Sequence, residues 1–388
     1  MKIVIFDGTF ATTTFINRLS LGLSKNHQVY ILGFNETLKK PLAQVKYVKL
    51  GSNSNKFSFF KTAIKYAVSS YSPKLILKTF KLLLRFNKNE IQKQNLKLAL
   101  STINPDIIHA QWVSNLPILE SILTDQKIPV ILSQRGYHIN VRPFVNKENM
   151  NYLKTWFPKI AGFHSVSKAI MNVGNQIYND SKKINKVVYT GLNLENIPFN
   201  TNYSMGDKIK IISVGRGHWK KGYSYALEAC RLLKNQNLDF EYEIIGVEND
   251  EELLFLRDDL DLKEEVKFIS KVSLQEVYKM MNQVSVLLLP SIEEGIANVA
   301  VEAMALGTPV ISTDCGGMEE LILDEKEGWI VPTRNASDLA NALIKLKGLK
   351  GEEINELRKG ARQKVERMFT EELMVKGMEE LYLKVLNQ

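Results

Sequence analysis

The chain has 388 residues, enough for two ordinary domains, and its 45% hydrophobic and 24% charged residues exclude a disordered polymer. No run approaches the roughly 20 apolar residues of a membrane span. The net charge of +9 points to anionic partners, and two cysteines, Cys230 and Cys315, are too few for a disulfide framework or a zinc site.

The opening MKIVIFDGTF reads as a first buried strand rather than a signal peptide, so a cytoplasmic protein is expected. A helix over TTTFINRLSLGLSKN and a strand HQVYILGF (27–34) follow. PDIIHAQW (105–112), IPVILSQRG (128–136) and VVYTGLN (187–193) are further short apolar runs that end in polar residues. Strands alternating with helices predict parallel βαβ units with helices on both faces of a sheet. Residues 196–207, NIPFNTNYSMGD, have linker composition, and KIKIISVGRG (208–217) restarts the pattern. The predicted order is a first domain over 1–195, a linker over 196–207, a second domain over 208–369 and a last helix over 370–388. That helix is expected to return to the first domain. The fold class is α/β, with two doubly wound, Rossmann-like domains.

Between these strands lies a basic stretch. Residues 56–97 hold Lys56, Lys61, Lys65, Lys74, Lys78, Lys81, Arg85, Lys88, Lys93 and Lys97 against one acid, Glu90. Ile76, Leu77, Phe80, Leu83 and Leu84 interleave with them at helical spacing, as in a basic amphipathic helix on an anionic membrane surface. The alternative is a domain helix with a solvated lysine face. Nucleic acid is not expected, because no stacking platform or reading motif accompanies the charge.

Two stretches of the second half carry chemistry. In SVGRGHWKKGY (213–223), Gly215 permits a sharp turn at a strand's carboxyl end, where open α/β sheets bind ligands. Arg216 and Lys221 flank that turn with cations suited to phosphate, and Gly222 precedes a helix. The run is neither a Walker A loop nor a dinucleotide fingerprint. In EEGIANVAVEAMALGTPV (293–310), Glu294 lies in a loop and Glu302 about one turn into the next helix. Bare carboxylates would repel phosphate, so they suit hydroxyl donors. The two acids therefore bracket a nucleotide diphosphate-sugar, with ribose at Glu302, sugar at Glu294 and phosphates between. The alternative is a pair of acids that only complement a helix dipole.

Together these residues resemble the retaining family-4 glycosyltransferases of the GT-B fold, in which two Rossmann-like domains face each other across a cleft. The likeness is strongest over 208–332, where VEAMALGTPVISTDCGGMEELI places Gly316, Gly317 and Glu320 as in that family. It implies a nucleotide-sugar donor and a saccharide or lipid-linked saccharide acceptor. It also implies diphosphate binding by Arg216 and Lys221, and a donor loop of Gly295, Ile296, Ala297 and Asn298. In the first domain it implies an acceptor side at Gly8, Thr9 and His109. Catalytic positions fall on Glu294, Arg135 and His138, although Arg135 and His138 stand where the family has His and Asp. The resemblance implies no cofactor and, with no Asp-x-Asp present, no metal. It fits polysaccharide synthesis by a cytoplasmic enzyme on the inner face of the cell membrane. An epimerase or phosphorylase on the same scaffold, or a nucleotide-sugar binder without turnover, are the alternatives.

Overall fold

The computed structural model describes residues 1–34, 38 and 41–388. They divide into two compact units. The first comprises Met1–Val166, Ile170–Gly191 and Glu371–Gln388, and the second Ser167–Ala169 and Leu192–Thr370.

The first unit is built on β1 (Lys2–Gly8), β2 (Gln28–Gly33), β3 (Val45–Lys49), β4 (Ile107–Ala110), β5 (Val130–Gln134), β6 (Gly162–Ser165) and β7 (Asn185–Val187). All pairs are parallel, in the order β3-β2-β1-β4-β5-β6-β7. Successive side chains of a strand point to opposite faces, so β1 supplies both halves of the core. Val4 and Phe6 pack with Leu96, Leu100 and Leu119 on one side. Ile3 and Ile5 pack with Ile16, Leu19, Met378 and Leu381 on the other. The latter two belong to the chain's last helix, Glu371–Leu386, which therefore completes the first unit's core.

Two sequence expectations change here. The strand expected over 187–193 lies instead at Asn185–Val187, and the backbone leaves the sheet after Val187. The single basic helix is three helices, Lys56–Ser69, Pro73–Leu84 and Lys88–Ile103. The Asn55, Ser72 and Asn87 side chains each accept a backbone N–H of the first turn, so each helix has its own start signal. Pro73 at the second start has no N–H to lose there.

The second unit carries β8 (Ile209–Val214), β9 (Phe240–Ile245), β10 (Val266–Ile269), β11 (Val286–Leu289), β12 (Val310–Thr313) and β13 (Trp329–Val331). These are parallel in the order β10-β9-β8-β11-β12-β13. The α/β, doubly wound class read from the strand–helix alternation is thus present in both units. In each sheet the order reverses beside the first strand, between β1 and β4 and between β8 and β11. Ligands of open α/β sheets bind outside the carboxyl ends of strands at such a point.

Candidate active site

At the second unit's switch point two loops meet. One runs from Gly215, after β8, to Gly222; the other from Pro290, after β11, to Ala297. They are joined by their backbones, since the Ile292 N–H donates to the Lys220 carbonyl at 2.7 Å. Gly222 makes the approach possible. It has φ +63°, and a Cβ there would lie 2.0 Å from the Pro290 carbonyl oxygen. A third turn, after β12, backs the second loop. Gly316 has φ +59°, and a Cβ on it would lie 1.8 Å from the Glu294 carbonyl oxygen, while the Gly317 N–H donates to the Gly295 carbonyl at 2.8 Å. Gly316 and Gly317 thus fix the backbone of the acidic loop.

The side chains of the two loops are linked as well. Lys221 Nζ lies 2.5 Å from Glu294 Oε1, and the Ser291 hydroxyl donates to the same oxygen at 3.2 Å. Both members of the ion pair are about four-fifths buried. Arg216 is exposed at the mouth of the first loop, without an ion-pair partner among the described residues. Lys220 completes a cationic edge, and His218 lies beside it. Desolvation first, and then Lys220, Arg216 and Lys221, lower the His218 pKa. Desolvation is also the largest cause lowering that of Lys220, with Glu294 opposing it.

Beside this edge begins the helix Asn298–Leu306. Its cap residue, Ala297, offers no side-chain acceptor, and no acid lies in its first turn. The helix therefore presents its positive end and free N–H groups to the loop Gly295-Ile296-Ala297-Asn298, as an anion site requires. Glu302 is buried on the same helix, 6% exposed. Behind the first loop the Tyr223 hydroxyl is buried without a hydrogen bond, close under Gly215.

The first unit's switch point is organised around Asp7, Trp112 and Arg135. Gly8 ends β1 with φ +80°, and a register shift between Phe6 and Gly8 re-aims Asp7. The Trp112 indole N–H donates to the Asp7 carboxylate. Burial raises the Asp7 pKa to about 6, against the lowering effects of that bond and of Arg135. Arg135 follows β5, with its guanidinium 3.9 Å from the centre of the Phe15 ring. It donates to Gln111 Oε1 at 3.0 Å and to the Ser133 hydroxyl at 3.2 Å. Part of the donor capacity of Arg135, expected as a catalytic position, is thus taken by protein groups. His138 lies half-buried in the short helix Tyr137–Asn140, its ring edge-on to Tyr137. Thr9 is half-buried, and its hydroxyl accepts the Ala11 N–H at 3.1 Å.

His109 does not stand on the acceptor side as expected. It is fully buried in β4, with both ring nitrogens occupied by Tyr382 at 2.7 Å and Ser133 at 2.8 Å. It belongs to a chain of bonds whose direction can be deduced. His164 Nε2 faces the Val188 carbonyl at 3.0 Å and must donate. Its Nδ1 therefore accepts from the Ser133 hydroxyl, at 2.8 Å. Ser133 in turn accepts from His109 Nε2–H, and His109 Nδ1 accepts from Tyr382. Every member is satisfied with both imidazoles neutral. Burial, the largest cause, lowers both histidine pKa values, that of His164 to about 3.

Residues 198–364 match the family described as Glycosyl transferases group 1. The chain is also 38% identical over 173 residues to the putative colanic acid biosynthesis glycosyltransferase WcaL of Escherichia coli, covering 43% of each protein. It is 34% identical over 209 residues to the amylovoran biosynthesis glycosyltransferase AmsK of Erwinia amylovora, covering 52% of this chain and 51% of that one. The chain thus spans about half the length of the curated relatives it matches. Among solved structures, sucrose-phosphate synthase from Thermosynechococcus elongatus superposes with a TM-score of 0.79 at 17% identity, covering 100% of this chain and 99% of that one. Anabaena HepE, solved in complex with UDP and glucose, superposes with a TM-score of 0.75 at 16% identity, covering 99% and 100%. At such identities the likeness is one of fold, and the fold is GT-B.

The matched segment contains the whole second-unit site, from Gly215 to Gly317. Three of its features escaped the sequence reading. His218 and Lys220 are visible in the run HWKK, but spacing from Arg216 singles out Lys221 alone. Tyr223 carries no sequence signal, since a tyrosine opening a helix is ordinarily a core residue.

Proposed function

We propose that the protein transfers a hexosyl unit from a nucleotide diphosphate-sugar to a hydroxyl of a saccharide or lipid-linked saccharide, with retention at the anomeric carbon and without a metal, in cell-surface polysaccharide synthesis. The observation that carries this reading is the junction at the second unit's switch point. There a cationic loop and an acidic loop are tied by the Lys221–Glu294 pair beside an open helix end. The match of residues 198–364 to the group 1 family supports it.

Each residue then has a chemical task. Arg216, Lys221 and the first N–H groups of the helix Asn298–Leu306 neutralise the diphosphate as it leaves, an electrostatic role. A lysine ammonium has three donors, so Lys221 can hold Glu294 and still reach phosphate oxygens. Gly215 keeps side-chain bulk away from the diphosphate. Glu302 accepts from ribose hydroxyls. Glu294 accepts from the donor sugar and stabilises positive charge on its ring in the transition state. Gly295, Ile296 and Ala297 line the sugar, and Gly8 and Thr9 belong to the acceptor loop. His138 contacts the donor sugar, and Arg135 keeps a positive charge at the first unit's edge. The acceptor oxygen bonds to the anomeric carbon on the face that the diphosphate leaves. The C–O bond to phosphate breaks, and a leaving phosphate oxygen takes the acceptor proton. A lipid-linked acceptor would be met at the inner face of the cell membrane.

Product analysis tests this. The protein is incubated with a panel of nucleotide sugars and a membrane-extracted acceptor fraction, with and without chelator. Release of nucleoside diphosphate together with an α-linked glycoside from an α-linked donor, unaffected by chelator and reduced roughly 100-fold or more in Glu294→Gln, is expected. An isomerised donor or a sugar phosphate would instead assign an epimerase or a phosphorylase.

A further inference from the structure

The three basic helices of the first unit leave an unusual surface. On the helix Lys56–Ser69, Phe57, Ile64 and Val68 are exposed, at positions i, i+7 and i+11 of one face. On the helix Pro73–Leu84, Leu77, Phe80 and Leu84 are exposed at i, i+3 and i+7. Each stripe runs beside exposed lysines: Lys61 and Lys65 on the first helix, Lys74, Lys78 and Lys81 on the second. Among the described residues none of these lysines forms an ion pair. Lys93 and Lys97 differ, being tied to Glu120 at 3.0 Å and Asp125 at 2.7 Å. The unpartnered charge therefore lies on the first two helices.

The ends of those helices add a second observation. The left-handed residue just past a helix is usually Gly or Asn. Here it is Tyr71, with φ +51° and 91% exposed, and Phe86, with φ +51° and 78% exposed. Bulky residues are disfavoured in that conformation, and exposing an aromatic ring to water gains nothing. Both choices are compensated if the rings sit at a lipid–water interface, where aromatic side chains concentrate. Phe86 also lines a cavity of about 240 Å³ walled by Phe59, Phe60, Leu83 and Ile91, with Lys56 and Lys88 at its polar edge.

We propose that this face lies on an anionic phospholipid bilayer. Phe57, Leu77, Leu84, Tyr71 and Phe86 enter the acyl boundary, and the lysines pair with lipid phosphates. The cavity takes part of one acyl chain, with its phosphate at Lys56 and Lys88. Charge complementarity selects this occupant: a stripe that is both apolar and densely cationic fits neither neutral lipid nor a second copy of itself, whose lysines would repel. The inference rests on the membrane location of the acceptor proposed above, but not on the chemistry of transfer.

Flotation of the full chain with vesicles tests it. Binding is expected to vesicles containing phosphatidylglycerol and to be weak on pure phosphatidylcholine. It should weaken roughly fivefold for each lysine removed in Lys78→Gln and Lys81→Gln. The double variant Leu77→Ser/Leu84→Ser should float at least tenfold less. The indole introduced by Phe86→Trp should blue-shift on anionic vesicles and be quenched by lipids brominated along the acyl chain. Thermal stabilisation by nucleoside diphosphates should be unchanged in every variant, which separates failure of docking from failure of the donor site. A folded protein that stays unbound on anionic vesicles overturns the proposal. So does equal binding to neutral vesicles, or concentration-dependent self-association that the Leu77→Ser/Leu84→Ser variant abolishes.

Discussion

Arg216 and Lys221 share one loop but differ in setting. Arg216 is exposed and unpaired among the described residues, whereas Lys221 already holds Glu294 at 2.5 Å. Removing Arg216 should cost ligand affinity without disturbing the fold. Arg216→Ala is expected to weaken nucleoside diphosphate binding roughly 10- to 100-fold, the worth of a charge-assisted bond, with Tm within a degree or two of the parent. Calorimetric titration checks this. Gly222 makes the opposite prediction. A Cβ there strains a left-handed backbone and meets the Pro290 carbonyl at 2.0 Å, so the joined loops must separate. Gly222→Ala should destabilise the second unit by about 2–4 kcal/mol, read as a lowered denaturation midpoint. At this scale the sequence was informative wherever chemistry demanded a residue type. Arg216, Lys221, Glu294 and the paired glycines after β12 were each picked out, and the structure gathers them around the β8 and β11 edges. His109 misled because a histidine closing a strand looks the same whether its ring faces a ligand or the sheet's interior. Its partner Tyr382 lies 273 residues away in sequence.

The relay across β4, β5 and β6 is an element-scale device. Four neutral groups, Tyr382, His109, Ser133 and His164, pass one donor direction through the first sheet to the Val188 carbonyl. Arg135, which donates to Ser133, adds a positive charge that disfavours protonated imidazole. Both histidine pKa values are lowered in the folded chain relative to about 6.5 in an unfolded one. The unfolded state therefore binds more protons below pH 6.5, and stability is lost as pH falls from there toward the folded value, about 3 for His164. Asp7 opposes this between its unfolded value of about 4 and its folded value of about 6, where the folded state holds the extra proton. Two lowered imidazoles outweigh one raised carboxyl. Urea unfolding at pH 7, 5.5 and 4 should show the free energy falling at each step, and Asp7→Asn should steepen the fall. A flat profile would contradict the neutral state of the two imidazoles. Secondary structure was legible where an apolar run was clearly bounded, as in β1, β2 and β8. The strand β3, VKYVK, escaped because its alternation is masked by lysines on an edge strand. The three-way break of residues 56–103 was written in Asn55, Ser72-Pro73 and Asn87, signals that the run of positive charge overshadowed.

Over the whole molecule, the two units are each a parallel sheet, but the chain does not fill them in order. The last helix, Glu371–Leu386, belongs to the first unit and buries Met374, Met378, Leu381, Tyr382 and Val385. At about 1.5–3 kcal/mol for each such side chain, its loss would be comparable to the whole stability of a typical domain. Truncation after Thr370 should therefore unfold the first unit, and proteolysis should remove it while a fragment covering the second unit persists. The central claim is that the β8/β11 edge binds the diphosphate of a nucleotide sugar. The most direct test is thermal unfolding of the intact chain against UDP, GDP, ADP and dTDP, first with chelator and then with Mg²⁺. A ligand that binds the native state alone raises its midpoint by mass action. A rise of several degrees with one nucleotide, equal in both conditions, lost in Arg216→Ala and retained in the Leu77→Ser/Leu84→Ser variant, is predicted. A folded protein whose midpoint no nucleotide moves would contradict the account.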